Sequence, residues 1–321
     1  MRGQDILKTH CQQVARAMVL DGRVVPLLGA GANLCGRTRA AWAPGSRWLP
    51  SGTELADYLA AYCSYPEESR DLGRVSQYVS AVLGDAPLYQ ELHGLFAADY
   101  EPTPLHRFLA EVPGLVRTLP ARPRDPYQLI VTTNYDDALE RAFAEAEEKF
   151  DLVSYVCDGD DRGKFMHTAP GADPRVIERP NEYGGLSLDE RTVILKIHGA
   201  VDRNDPERDS YVITEDHYID YLTRTDVANL LPVTLAAKLR QSHILFLGYS
   251  LRDWNLRAMF HRIWQERRRS CASWAIQRAP EQLEVRFWQK RGVEILDFAL
   301  DRYITELGRS ARAMPAEEAA A

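Results

Sequence analysis

Residues 23–33 read RVVPLLGAGAN, an apolar run from Arg23 to Leu28 that ends in Gly29-Ala30-Gly31-Ala32-Asn33. The run has strand length and is apolar at consecutive positions. Both of its faces must therefore be covered, as in a parallel sheet with helices on either side. Three more runs repeat the pattern. Gln128–Thr132 (QLIVT) precedes Thr133-Asn134-Tyr135-Asp136, and Thr192–Ile197 (TVILKI) precedes His198-Gly199. His243–Leu247 (HILFL) precedes Gly248-Tyr249-Ser250-Leu251-Arg252-Asp253. Ser273–Ile276 and Val293–Leu296 are weaker strand candidates. Helical stripes lie between the runs: Leu139, Phe143, Ala146 and Phe150 after the second, and Leu256, Met259, Phe260, Ile263 and Trp264 after the fourth. Strands alternating with helices predict an α/β fold built on a doubly wound, mostly parallel sheet.

Two stretches depart from that alternation. Residues 34–125 carry several helical patterns and no convincing strand. Ser51-Gly-Thr-Glu54 is a capping box that opens one of those helices. Prolines at 102, 104, 113, 120, 123 and 126 then punctuate the return to the sheet. The reading is a Rossmann-like sheet domain formed by residues 1–33 and 126–312, a helical module inserted at 34–125, and a frayed tail at 313–321. The second departure, Cys157–Asn181, is rich in Gly, Asp and Pro and reads as a long loop.

Composition narrows the function classes. Lys and Arg number 39 against 46 Asp and Glu, a net charge of −7, which argues against direct binding to a nucleic-acid backbone. The longest basic run, Arg267-Arg268-Arg269, falls where cations stabilise a helix C-terminus. Cys11, Cys35, Cys63, Cys157 and Cys271 are odd in number and form no close pair. That pattern fits neither a disulfide framework nor a zinc module, so the expectation is a cytoplasmic protein without a metal. No stretch is long and apolar enough to span a membrane, and the first residues lack the apolar core of a signal peptide.

In an open parallel sheet, ligands bind beyond the carboxyl ends of the strands, where strand order reverses. Four polar or glycine signatures at four strand ends therefore converge on one place. Gly29, Ala30 and Gly31 offer a loop whose backbone can approach a pyrophosphate, with Asn33 following; the alternative is a plain tight turn, since Leu34 stands where a third glycine would be. Asn134 carries a donor and an acceptor suited to ribose hydroxyls or a water, although Asn134 or Asp136 could instead cap the next helix. His198 suits a general base towards a sugar hydroxyl, or a satisfied structural position. Ser250 and Asp253 could hold ribose or phosphate, or cap the helix carrying Leu256. Tyr135 and Trp254 read as packing aromatics.

The ordered set GAGAN, VTTNYDDALE, LKIHGAVD with a following YVITEDHY, and FLGYSLRDWNLR resembles the sirtuin-like domain of bacterial NAD-consuming antiphage defence proteins. The resemblance implies that Gly29, Ala30 and Gly31 cradle the NAD pyrophosphate, with Asn33 beside them as a further cofactor-binding residue. It implies that Thr133, Asn134 and Asp136 stand in the Thr-Gln-Asn-Ile-Asp motif, with Asp136 near the nicotinamide amide, and that His198 is the catalytic histidine. Gly248, Tyr249, Ser250 and Asp253 fall where the adenosine half is held. The four zinc cysteines of protein-deacylating sirtuins are missing, since no cysteine follows His198 until Cys271. The Gly-Ile-Pro-Asp-Phe-Arg stretch is absent as well, and Arg37 or Arg39 would substitute only loosely. What the resemblance then implies is an NAD glycohydrolase with NAD as substrate, no metal, and Asn134 and His198 as the catalytic pair. A protein deacylase and a non-catalytic NAD or ADP-ribose sensor are the alternatives. Because unchecked NAD hydrolysis would kill the host, the resemblance also implies a homo-oligomer gated by a second defence protein. A HerA-type ATPase is the first expectation for that partner and an Argonaute-like protein the second.

Overall fold

The structure is a computed structural model that describes residues 2–38, 41–68, 71–121, 123, 125–224, 231–249, 251 and 271–320. The described strands form one sheet: β1 (Val24–Leu28), β2 (Leu129–Thr132), β3 (Phe150–Tyr155), β4 (Phe165–Thr168), β5 (Arg175–Val176), β6 (Thr192–Lys196), β7 (His243–Leu247), β8 (Ser273–Gln277) and β9 (Val293–Asp297). Their order is β5-β4-β3-β6-β2-β1-β7-β8-β9. From β3 to β9 every neighbouring pair is parallel, while β4 and β5 add an antiparallel edge. The middle one of the seven parallel strands is β1, with Leu27 opposite Val131 of β2 on one side and Phe246 of β7 on the other. The chain builds outward through β2, returns, and continues from β7 in the other direction. The split between β1 and β7 is thus the point where strand order reverses, and the fold is α/β and Rossmann-like as expected.

Alternation along each strand assigns its side chains to two faces. Leu28, Ile130, Ile194, Leu245 and Leu247 pack on the face covered by α1 (Arg2–Val19), α5 (Pro104–Arg117) and α10 (Leu300–Ala320). Val25, Leu27, Val131, Leu195, Ile244 and Phe246 pack on the opposite face. There they meet Tyr221 of α7 (Glu215–Arg224), Leu235 and Leu239 of α8 (Val233–Gln241) and the fully buried Trp288 of α9 (Gln282–Gln289). Helices on both faces are what the doubly apolar strands require.

The region between β1 and β2 contains helices and no strand among its described residues, but it serves two cores. α2 (Gly52–Tyr62), α3 (Leu72–Leu83) and α4 (Asp85–Phe96) enclose a cluster of their own around Leu59, Val75, Val79, Leu88 and Leu92, together with Tyr135, Tyr211 and Ile213. α5 instead gives Leu105, Phe108, Leu109 and Val112 to the core beneath the sheet. The capping box at Ser51 is formed in both directions, with Glu54 N–H on Ser51 Oγ at 3.2 Å and Ser51 N–H on Glu54 Oε2 at 2.9 Å.

Three expectations need correction. The stripe from Leu139 to Phe150 is helical only in α6 (Ala138–Glu145); Glu147 turns the chain at φ 57°, and Phe150 opens β3, which buries alternate residues. The loop expected at 157–181 contains β4 and β5, strands of four and two residues set between Gly, Asp and Pro turns. Such short edge strands leave no apolar run in the sequence. The end of the chain, expected as a tail from 313, is helical to Ala320 in α10 and buries Met314. Its Ala- and Glu-rich composition favours helix. The stripe at Leu256–Trp264, Trp254 and the basic run at Arg267 lie outside the described residues.

Candidate active site

The glycine-rich loop and the end of β7 are built against each other. Gly29 N–H donates to Leu247 O at 3.1 Å and Gly31 N–H to Gly248 O at 2.8 Å. A Cβ on Gly31 would stand 2.6 Å from Gly248 O, and one on Gly248, whose φ is +65°, would stand 2.1 Å from Ala32 N. The glycines thus permit backbone-to-backbone contact across the β1/β7 split. The amides of Gly29, Gly31 and Ala32 are committed within the protein. Thr133 ties the ends of β1 and β2, its amide and hydroxyl both donating to Leu28 O at 3.1 and 3.4 Å.

Behind this loop lies a polar network. Asn134 donates from Nδ2 to Gly29 O at 3.2 Å and to Asn33 Oδ1 at 3.5 Å. Asn33 in turn donates to Asp136 Oδ2 at 2.7 Å. The other oxygen of Asp136 accepts the Ala138 N–H at 3.1 Å, so this carboxylate joins the network and also ties the turn into α6, whose N-cap is Asp137. Asn134 does not cap the helix. Lys196, fully buried on β6, donates to the backbone carbonyl of Asp136 and pairs with Glu140 at 2.6 Å. Burial pushes the Glu140 carboxyl up, an effect the adjacent Lys196 ammonium opposes. His106 is sealed below, and burial pushes it down to about 4, against the opposite pull of the Asp136 carboxylate.

His198 is buried at the end of β6, edge-on to the rings of Tyr218 and Tyr221 at 5.6 and 5.7 Å between centroids. Gly199 behind it has φ +89°, and a Cβ there would meet Ser210 O at 2.1 Å, so the turn after His198 requires glycine. Tyr135 donates to Val212 O at 2.7 Å and packs on Phe96 and Tyr211, the packing role expected for it.

These residues surround one cavity of about 760 Å³, within the range of small-molecule sites. Ala30, Gly31, Asn33, Thr133, Asn134, Asp136, His198, Gly248 and Tyr249 all line it, while Gly29 stands behind the wall against Tyr249. Ser250 and Asp253 lie outside the described residues, as does Arg39. Arg37 is engaged elsewhere, holding Glu54 bidentately at 2.7 and 2.6 Å. Hydrogen bonds from that guanidinium hold the Glu54 carboxyl down at about 2.

The sequence reading missed several members of the site. Gln277, Arg278 and Asp301 line the far end of the cavity beyond β8 and β9, and Ser51 and Thr53 approach from the start of α2. Tyr218, the last residue of the YVITEDHY stretch, reaches His198 from α7 through tertiary packing, a contact that the stretch by itself does not assign. Lys196 did carry a signal, being a lysine inside a run of buried apolar residues.

A parallel sheet wound in both directions from β1, with a polar cavity at the split, places the chain in the Rossmann-like α/β class. A sequence profile described as a SIR2-like domain matches residues 128–296, more than half of the 321. The chain belongs to the SIR2-like domain family, which supports an NAD-related function in general. The matched span takes in β2 to β9 apart from the final residue of β9 and includes Asn134, Asp136 and His198, while Gly29–Asn33 stand outside it. Among solved structures, the chain is similar to a mutant Sir2 homologue in complex with ADP ribose. Identity is 15%, coverage is 94% of this chain and 96% of that chain, and the TM-score is 0.39. No curated protein matches the sequence. No helix among the described residues is long and apolar enough to cross a membrane.

Proposed function

We propose that this chain is an NAD glycohydrolase that releases nicotinamide and ADP-ribose without a catalytic metal and serves as the effector of a bacterial antiphage system. What supports the reading is one arrangement: Asn134, Asp136 and His198 share a cavity with the Gly29–Gly31 loop at the β1/β7 split, in a SIR2-like chain. Nicotinamide is a cationic leaving group. When the bond from its ring nitrogen to the ribose C1′ breaks, the electron pair neutralises the ring and positive charge develops on the sugar. The protein needs only to orient the ribose, shelter the leaving group and admit a water. In this reading Asn134 fixes the ribose and the water, and His198 accepts the water proton as the new C–O bond forms. Asp136 holds the carboxamide; a carboxylate has enough lone pairs to do so while keeping Asn33 and the Ala138 amide.

The test is purified protein incubated with NAD in the absence of added metal and analysed by chromatography. We expect nicotinamide and ADP-ribose in equal amounts. Asn134→Ala and His198→Ala should each remove nearly all turnover, and the double variant should add little, because the two act as one unit. Turnover that depends on an acyl-lysine peptide, or none in any assembly state, would overturn the reading. Gating follows from the toxicity of the reaction: we expect a homo-oligomer whose rate changes when a partner protein docks. A strict monomer by light scattering, fully active without a partner, removes that part of the proposal.

A further inference from the structure

Beyond the cavity at the strand ends, one cluster of soft and hard metal donors has no part in the proposed reaction. Cys157 follows β3, and its Sγ lies 3.2 Å from Asp158 Oδ2. His217, in the first turn of α7, places Nε2 3.9 Å from the same carboxylate oxygen. The three donor atoms lie within 4.8 Å of one another. In a tetrahedral zinc site, bonds of about 2.3 Å to sulfur and about 2.0 Å to nitrogen and oxygen put donors roughly 3.3–3.5 Å apart. The two measured separations bracket that spacing within about 0.6 Å.

The cluster is also pre-set. Ser210 Oγ accepts the Cys157 amide at 3.0 Å and donates to Tyr155 O at 2.9 Å, fixing the backbone beneath the thiol. Tyr89, from α4, brings its hydroxyl to Cys157 Sγ at 3.3 Å and to Asp158, which fixes the two donors relative to each other. Asp158 opens onto a cavity of about 800 Å³ that Asp160, Asp161 and Asp209 also line, an acidic approach that attracts cations.

We propose that Cys157, Asp158 and His217 bind a zinc-type divalent cation. Thiolate sulfur, imidazole nitrogen and carboxylate oxygen are all zinc donors, and three protein ligands leave one position open. Binding displaces the thiol proton to solvent. Coordination through His217 Nε2 puts the ring proton on Nδ1, so the long 3.5 Å contact from the Ile213 amide is given up. The bound ion would tie the loop after β3 to the first turn of α7, which also carries Tyr218 against His198. The expectation of a metal-free chain rested on cysteine spacing, and this cluster holds a single cysteine, with His217 brought to Cys157 and Asp158 from a distant part of the sequence.

The test uses the full chain stripped with chelator and titrated with cobalt(II), followed by zinc(II). One equivalent of cobalt should produce a thiolate-to-cobalt band in the near ultraviolet and the intense visible bands of a tetrahedral ion. Zinc should displace both and raise the Tm. Cys157→Ser and His217→Gln should each abolish the bands. His217 is near the surface, so its variant serves if Cys157→Ser fails to fold. No thiolate band in the wild-type chain overturns the proposal, and so does a band that survives both substitutions, which would assign it to another cysteine. Neither readout depends on NAD turnover.

Discussion

At the scale of single residues, Gly248 and Gly45 separate two reasons for a glycine. Both have positive φ, +65° and +81°, but a Cβ on Gly45 meets open space whereas one on Gly248 strikes the backbone of Ala32 at 2.1 Å. Gly45→Ala should therefore cost only the backbone term, roughly 1–2 kcal/mol. Gly248→Ala should cost that plus about 1–3 kcal/mol for forcing the β1 and β7 loops apart. Urea denaturation of both variants gives the difference, and ADP-ribose binding should weaken only in Gly248→Ala. Equal losses would mean that the two loops do not need their close approach. The sequence pattern marked Gly29, Gly31 and Gly248 as site residues, but for contact with a dinucleotide: the first two with its pyrophosphate, Gly248 with its adenosine half. Their closest observed neighbours are across the split: Tyr249 and Gly248 for Gly29, Gly248 for Gly31, and Ala32 and Gly31 for Gly248, a relation invisible to a reading of one loop at a time.

At the scale of elements, β2, β6 and α6 are joined by the Lys196 pair. A buried lysine holding both Glu140 and the Asp136 carbonyl fixes the turn that presents Asp136 to Asn33, and through it Asn134. Lys196→Met leaves a buried carboxylate unpaired and should cost about 3–5 kcal/mol in urea unfolding. Adding Glu140→Leu should recover much of that loss, because a buried ion pair contributes little net stability over an apolar pair. Turnover should stay low in the double variant, since the Asp136 carbonyl is still unheld; restored turnover would reduce Lys196 to a structural residue. The strands that frame the site were legible because apolar runs stop abruptly at polar residues, which is how a doubly covered parallel strand meets solvent. The edge strands β4 and β5 were not, since one side of an antiparallel edge faces water and needs no apolar run. Asp301 and Arg278 escaped for a different reason: they reach the cavity through packing between distant elements, which also gives Tyr218, inside the quoted YVITEDHY stretch, its place against His198.

Across the whole molecule, the pH dependence of stability follows from groups buried in a fixed charge state. His10, packed on Trp274 and hydrogen-bonded to the Tyr303 hydroxyl at 3.0 Å, is held down at about 4 by burial, and so is His106 at about 4. Both fold in the neutral form. Between an unfolded value near 6.5 and the folded value near 4, the unfolded chain binds protons that the folded chain refuses. Their contribution is complete above that window and lost as pH falls through it, on the order of 3 kcal/mol for each histidine. Glu54 behaves differently. Its carboxyl, held near 2 by Arg37, contributes above about 4.5 and loses that contribution only as pH falls towards 2. Acid destabilisation should therefore come in two stages, with the histidines first. The urea midpoint should drop between pH 7 and 5, where Glu54 is still ionised. His106→Gln keeps a side chain able to close the capping box with Thr103 and removes one titrating group, so it should flatten that first stage by about half. A midpoint unchanged between pH 7 and 5 would mean that both histidines take up protons as readily in the folded chain as in the unfolded one, and the core beneath the sheet would then have to hold two charges by pH 5.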